Sequence, residues 1–297
     1  MATLRELKGR IGSVASSEKI TGAMKMISSA KMHKAEQSLV KLLPYRRQIR
    51  DIIGNLLSAD AAFSSPLLEE RVEIKRVALI VYGSDDGLCG AYNANIVKAL
   101  VAAVKKYRND YPVLETIEVV PVGGKMVKAV GKIAHKLGIT VRYAEGVDTK
   151  TSGDGVKAFT WMMRDDFTGG HYDKVDLMYM HFKSISRQVL THEQLLPVSQ
   201  EGLAAGDGSV APSFRPYIFE PDANTIFTTI LPMYLLAIMQ EVFTENRASE
   251  QAARVMAMQS ANDNAKKLLE QLQLEYNKLR QDSITTELLD IVGGQVR

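Results

Sequence analysis

The chain has 297 residues, of which 46% are apolar and 24% charged, with a net charge of +3. That balance supports a buried core, excludes compositional disorder and is too weak to argue for nucleic acid, and the length suggests two domains at roughly 150 residues each. The single cysteine, Cys89, excludes an internal disulfide framework and a cysteine-rich zinc site and fits a reducing compartment.

The chain opens Met-Ala-Thr-Leu-Arg-Glu-Leu-Lys, with an acid and no apolar stretch, so neither a signal peptide nor a transit peptide is expected. Leu4, Leu7, Ile11 and Val14 step by three and four. The same register reaches Met32, Ala35, Leu39, Leu42, Ile49, Ile53 and Leu56, with polar residues at Glu18, Thr21, Lys25, Ser28 and Arg46. This predicts a helix over residues 1–58, roughly 80 Å long at about 1.5 Å per residue. In the polar gap the stripe is expected to move to Ile20, Met24 and Ile27, a local phase shift. Pro44 is expected to bend or interrupt the helix. Met24, Met26 and Met32 read as gap-filling core, and Tyr45-Arg-Arg-Gln-Ile-Arg50 as a solvated helix face.

After a linker at 59–74, residues 75–216 change rhythm. Strands are predicted at 76–82, 117–122, 139–143, 175–182 and 187–196, the last paired as a hairpin. Helices are predicted near 93–108, 125–137 and 156–167. This alternation predicts a Rossmann-like, mostly parallel α/β domain. Residues 201–216, rich in Gly, Ala, Ser and Pro, read as a loop.

Asp222 is the expected N-cap of a last helix of about 70 residues, stopped at Gly293-Gly294. Val255, Met258, Asn262, Ala265, Leu269, Leu272, Tyr276 and Leu279 form its stripe, with one polar member. Ile284, Leu288 and Ile291 continue in a slipped register. The longest run free of strongly polar residues there, 228–239, contains Pro232 and falls short of the ~20 residues that span a bilayer, so no membrane segment is expected.

Neither stripe can stay in water, so the two long helices are expected to pair, antiparallel if the middle domain returns the chain. Charge supports this: residues 1–58 carry 11 Lys/Arg against 4 Asp/Glu, and residues 222–297 carry 7 against 10. The last helix should overshoot by about 20 Å. Residues 281–297 would then expose Ile284, Leu288, Leu289, Ile291 and Val292, an apolar tip that implies a partner.

Chemistry is sparse. Gly83-Ser-Asp-Asp-Gly-Leu-Cys-Gly90 follows the first strand but matches neither phosphate-binding glycine pattern, and Asp85 and Asp86 would repel a phosphate. It reads as a tight strand-to-helix turn. His33, His135, His171, His181 and His192 form no ligand pair, Asp165 and Asp166 no acid/base dyad, and Cys89 has no evident base. No catalytic, cofactor or metal residue is expected. A mechanical or scaffolding role is favoured over an α/β enzyme with a coiled-coil arm, which would have to bind a nucleotide or other substrate.

Several motifs, in order along the chain, resemble the gamma subunit of F-type ATP synthases. They are Leu7-Lys-Gly-Arg-Ile-Gly-Ser-Val14, Lys19-Ile-Thr-Gly-Ala-Met-Lys-Met-Ile27, Ala30-Lys-Met32, Gly87-Leu-Cys-Gly90 and Tyr217-Ile-Phe-Glu-Pro-Asp222. Towards the end come Glu245-Asn-Arg-Ala-Ser-Glu-Gln-Ala-Ala-Arg-Val-Met-Ala-Met258, Asn262-Asp-Asn-Ala265, Tyr276-Asn-Lys-Leu-Arg-Gln281 and Ile284-Thr-Thr-Glu-Leu-Leu-Asp-Ile-Val-Gly-Gly294. The resemblance implies a non-catalytic rotor, one copy per complex. Its antiparallel coil stands inside a hexamer of alpha and beta subunits, and its globular domain sits with epsilon on the membrane c-ring. Proton (or sodium) flow turns the ring, and the shaft drives the beta sites through their conformations. It implies hexamer contacts at Met24, Lys25, Arg280, Gln281, Ile284, Leu288 and Ile291, and c-ring or epsilon-side contacts at Tyr217, Phe219 and Glu220. It implies no cofactor and a place on the cytoplasmic face of a bacterial inner membrane. Two departures stand out: Phe219 where many relatives have Tyr, and a tail ending Gln295-Val-Arg297 instead of in small apolar residues. A single cysteine excludes the dithiol switch of chloroplast relatives.

Overall fold

The computed structural model describes residues 3–57, 64–199 and 219–294, so the expected loop at 201–216 and Tyr217 lie outside the described residues. Two helices dominate. Helix α1 runs over Leu4–Leu57 and helix α5 over Ala223–Gly294, 54 and 72 residues long. Between them lie β1 (Arg76–Tyr82), α2 (Tyr92–Asp110), β2 (Thr116–Val122), α3 (Gly124–Leu137), β3 (Thr140–Val141), α4 (Asp154–Thr168), β4 (Lys174–Ser184) and β5 (Arg187–Leu196). The expected strand at 139–143 shortens to two residues, because only Thr140 and Val141 reach a β2 partner.

The strand order is β3-β2-β1-β4-β5. The first four strands run parallel, and β4 with β5 forms an antiparallel hairpin. Strand alternation divides the core in two. Val77, Leu79 and Val81 point towards Ile96, Leu100 and Val104 of α2 and Met126 and Val130 of α3. Ala78, Ile80 and Tyr82 point to the other face, which is covered by Phe159, Met163 and Phe167 of α4 and by both long helices. From α1 come Ile49, Ile53 and Leu56, and from α5 come Phe227, Leu231, Leu235 and Met239. The coil is therefore the second helical layer of the sheet as well as a shaft. Strand β1 and most of β2 and β4 are buried on both faces, which is why they read as continuous apolar runs, whereas the edge strand β5 is largely exposed.

That packing also settles the membrane question. Helix α5 contains a stretch with a mean hydropathy of 1.6, long and apolar enough by composition to cross a bilayer, contrary to the sequence expectation. It is half-buried in the protein. Its apolar residues Phe227, Leu231, Leu235 and Met239 form the core under the sheet.

Both helix starts are capped. Thr3 and Glu6 exchange bonds as a capping box at α1: Thr3 N donates to Glu6 Oε2 (2.8 Å) and Glu6 N to Thr3 Oγ1 (3.3 Å). Asp222 caps α5 as expected, accepting from Thr225 N at 2.8 Å. The Thr225 hydroxyl and amide hold the Asp222 carboxyl below its ordinary range. Pro44 and Pro232 lie inside continuous helices, so the expected interruption at Pro44 does not occur. The Pro44 ring faces outward, and packing against α5 on the seam side keeps the chain helical.

Candidate functional surfaces: the shaft, its anchor and its tip

The seam of α1 is one unbroken heptad register. From Leu4 to Leu56, all sixteen positions that step by three and four are buried or half-buried, the polar ones included. The expected phase shift is therefore corrected. Ile20 and Ile27 stand exposed at 59% and 56%, Met26 is exposed too, and Ser28 is buried on the seam. The reason lies in α5. Asn262, the polar member of its stripe, donates from Nδ2 to Glu18 O (2.7 Å) and Thr21 Oγ1 (3.3 Å). Polar residues meet polar residues, and the gap in one stripe fits the exception in the other. A Cβ at Gly22 would lie 3.3 Å from Asn262 Nδ2, so glycine permits this approach. Lower down, Arg46 is also on the seam and not on a solvated face. It donates to Glu241 Oε2 at 2.7 Å. Burial opposes the Arg46 charge, but Glu241 outweighs it and the guanidinium is raised above its ordinary value.

The anchor is the segment Glu241–Arg254 of α5, buried on nearly every side. A helix enclosed all round is normally apolar; this one carries a row of polar side chains, several with partners in the body. Asn246 Nδ2 donates to Gly83 O (2.9 Å), and Asn246 Oδ1 accepts from Tyr92 OH (2.7 Å). Ser249 Oγ donates to Met180 O at 2.7 Å. Arg247 reaches Thr149 O and Thr151 O at 2.9 and 3.1 Å, and burial lowers its pKa. Arg254 donates to Gly87 O (3.1 Å), Asp86 O (3.2 Å) and Glu250 Oε1 (2.7 Å). His181 Nδ1 lies 2.7 Å from Glu245 Oε2.

These bonds converge where strand order reverses, at the carboxyl ends of β1 and β4. In open α/β sheets that crevice is where ligands bind. Here Asn246, Ser249 and Arg254 of the shaft fill it. The turn after β1 is further closed by its own groups. Asp85 Oδ1 accepts from Gly124 N at the start of α3 (3.0 Å), and Asp85 Oδ2 accepts from Thr149 Oγ1 (2.5 Å). A carboxylate from the chain thus occupies the place an anion would take at a helix N-terminus. Ser84 N donates to Asn93 Oδ1 (3.1 Å), and a Cβ at Gly83 would strike Met126 at 2.6 Å. Cys89 is buried against this turn, 3.7 Å from Ser84 Oγ. Among the described residues, no group of three or more His, Cys, Asp or Glu could hold a metal ion. The anchor was not anticipated from sequence. Its available signal was the pair Glu250 and Arg254, spaced i and i+4.

The seam fades towards the end of α5. Leu272 is buried and Tyr276, Leu279 and Ser283 are half-buried, and beyond them Ile284, Leu288, Leu289 and Ile291 are exposed at 46–66%. Arg280 and Gln281 are exposed at the transition. Met24 and Lys25 are half-buried midway along α1. At the far end of the molecule from the tip, Phe219 packs partly against the sheet core and Glu220 is exposed. The structure therefore spreads the expected contact residues over three separate regions of the long helices and their approach.

A long coil built into the core of a doubly wound sheet, with a bare apolar tip, defines a shaft-bearing α/β protein. A family model described as ATP synthase matches residues 3–296. The ATP synthase gamma chain of Phocaeicola vulgatus is 42% identical over 302 aligned residues, covering 100% of both chains. That of Nitrosomonas eutropha is 33% identical, covering 99% of each. Among solved structures, a chain of the Euglena gracilis mitochondrial ATP synthase (OSCP/F1/c-ring) matches with a TM-score of 0.65, covering 99% of this chain and 93% of that one at 22% identity. A chain of the Tetrahymena thermophila central stalk/c-ring matches with a TM-score of 0.55, covering 82% of this chain and 99% of that one at 23% identity. The structural likeness establishes the shared fold. The chain belongs to the ATP synthase gamma-chain family, and is thus a non-catalytic stalk subunit of an F-type ATP synthase.

Proposed function

We propose that the chain is the torque-bearing rotor of its complex, standing between a membrane c-ring and a hexamer of alpha and beta subunits. The observation that carries this reading is the shaft: a single-register coil rooted in the sheet core at one end, with an unpartnered apolar tip at the other. Two paired helices resist bending better than one, and the anchor ties α5 to the body by side chains spread over about three of its turns. A turning body must therefore turn the shaft.

In this reading the tip residues Ile284, Leu288 and Ile291 run in an apolar bearing, and their lack of charge keeps friction low. Met24, Lys25, Arg280 and Gln281 face the catalytic subunits. The surplus positive charge of residues 1–58 meets acidic groups there. Tyr217, Phe219 and Glu220 lie on the c-ring and epsilon side. The chain divides into a shaft helix (1–58), a linker (59–74), a globular domain (75–216) and the returning shaft (217–297). The complex is membrane-associated, and this chain is peripheral, on the cytoplasmic face of a bacterial inner membrane.

The deciding experiment is ATPase activity of the cognate alpha and beta subunits, purified with and without this chain, alongside gel filtration. A stable complex with strongly raised turnover, and no activity from this chain alone, is the expected result. Failure to associate, where both partners are folded, would sink the rotor reading.

A further inference from the structure

One cluster of titratable groups lies where shaft and body join. Glu241 and Glu245 are one helical turn apart on α5, and both are buried. Each takes its partner from a different element. Glu241 accepts from Arg46 of α1 at 2.7 Å, and Glu245 meets His181 Nδ1 of β4 at 2.7 Å. Glu193 of β5 joins them, accepting from Tyr179 OH of β4 at 3.0 Å. Tyr234 of α5 bonds to Arg46 and completes the set. Next to it Phe182 of β4 packs on Ala35, Leu39 and Ala248, so α1, α5 and β4 close over one another there.

The charge balance of this cluster is unusual. Among the described residues, the permanent cation paired with these three carboxylates (Glu241, Glu245 and Glu193) is Arg46. Arg46 is already held by Glu241. The remaining pair, His181 and Glu245, is neutral overall only while it holds one proton between Nδ1 and Oε2. His181 is 38% exposed, so that proton has a route to solvent, whereas Glu245 is only 5% exposed.

We propose that the His181–Glu245 pair is a pH-responsive clasp between shaft and body, closed while it holds its proton and slackened when the proton passes to water. Loss of the proton leaves a bare carboxylate beside Glu241 and Glu193 in a poorly solvated place. The hydrogen bond across the pair persists in weaker form, and repulsion acts along α5 and against β5. The body stays folded, because the two apolar clusters and the Asn246 and Ser249 bonds contain no ionisable group that loses a proton in this range. Burial, helped by Glu241 and Glu193 and opposed by His181, pushes the Glu245 carboxyl up to about 7. The change therefore falls near neutral pH. The inference concerns the joint alone and holds whether or not the shaft turns.

The test is hydrogen–deuterium exchange of the full chain from pH 6 to pH 8.5, with each amide corrected for its intrinsic exchange rate. In the wild type, protection in the peptides covering residues 179–182 and 241–249 should fall up to about tenfold per pH unit through the transition, while peptides in α2 and α3 stay level. Glu245→Gln should keep the protection and remove the slope. His181→Gln should shift the midpoint to higher pH, because the carboxyl loses the bond that favours its charged form. Protection that is level with pH in the wild type, or a slope that survives in Glu245→Gln with an unmoved midpoint in His181→Gln, would overturn the proposal.

Discussion

Asn262 of α5 donates to the main-chain oxygen of Glu18 in α1, 2.7 Å away, one turn before the glycine that lets it approach. This bond sets the register of the shaft. A single polar residue at a core position of a coil costs stability and fixes alignment, and Asn262 sits where α1 offers Glu18, Thr21, Lys25 and Ser28.

Asn262→Ala should therefore lower stability by about 1 kcal/mol, the net worth of a typical hydrogen bond. Gly22→Leu should cost more, because its Cβ would already press on Asn262 Nδ2 before the rest of the side chain is placed. Urea unfolding followed by far-UV circular dichroism measures both. Equal midpoints for Gly22→Leu and wild type would show that the seam does not close here.

The anchor makes a sharper prediction. Arg254 and Glu250 are both buried and pair at 2.7 Å. Arg254→Met strands the Glu250 carboxylate and should cost about 3–5 kcal/mol. Adding Glu250→Leu should recover part of that loss, leaving the cost of the uncapped Asp86 and Gly87 carbonyls. A double-mutant cycle by urea unfolding separates the two effects. If the double variant is no more stable than Arg254→Met, the stranded charge is not the cause.

The tip should behave in the opposite way. Leu288→Asp and Leu289→Asp change exposed side chains and should leave the stability of the chain within about 0.5 kcal/mol. Both should depress the ATPase turnover of the assembled complex. Arg280→Ala combined with Gln281→Ala should weaken coupling and turnover, whereas Phe219→Tyr should change little. Normal assembly and turnover of the Arg280/Gln281 double variant would remove the role proposed for that pair.

Stability should also depend on pH through Glu245. Its folded-state carboxyl is raised from 4.5 to about 7, so the folded chain binds this proton more tightly than the unfolded one. That contribution is complete below the ordinary carboxylate range and is lost as pH rises through about 7. The wild type should thus lose stability relative to Glu245→Gln between pH 4.5 and pH 7. Urea midpoints of the two proteins at pH 5 and pH 8 give the comparison, and a constant difference would count against the raised carboxyl.

The sequence by itself determined the elements. Strand runs such as Val77–Val81 are continuous and apolar because both faces are covered, and turns at Gly83 and Gly138 end elements as expected. The heptad stripes announced two long helices, and the surplus length of α5 announced a bare tip. These features are local: they follow from spacing, caps and glycine positions along one segment. What the stripes could not show was their alignment. The apolar residues Ile20 and Ile27 suggested a shifted seam, and only the approach of Asn262 keeps the polar residues inside it. Nor could periodicity show that the first half of α5 belongs to the sheet core. Its apolar run was too short by one count and membrane-like by another, until the burial of Phe227 and Leu231 in the core under the sheet explained it. The anchor is the clearest case. Asn246, Ser249 and Arg254 lie on a helix some 160 residues from Gly83 and Gly87 in the chain, and nothing local marks them as partners. A buried polar group is tolerable only where its partner is waiting, and tertiary structure alone brings the two together.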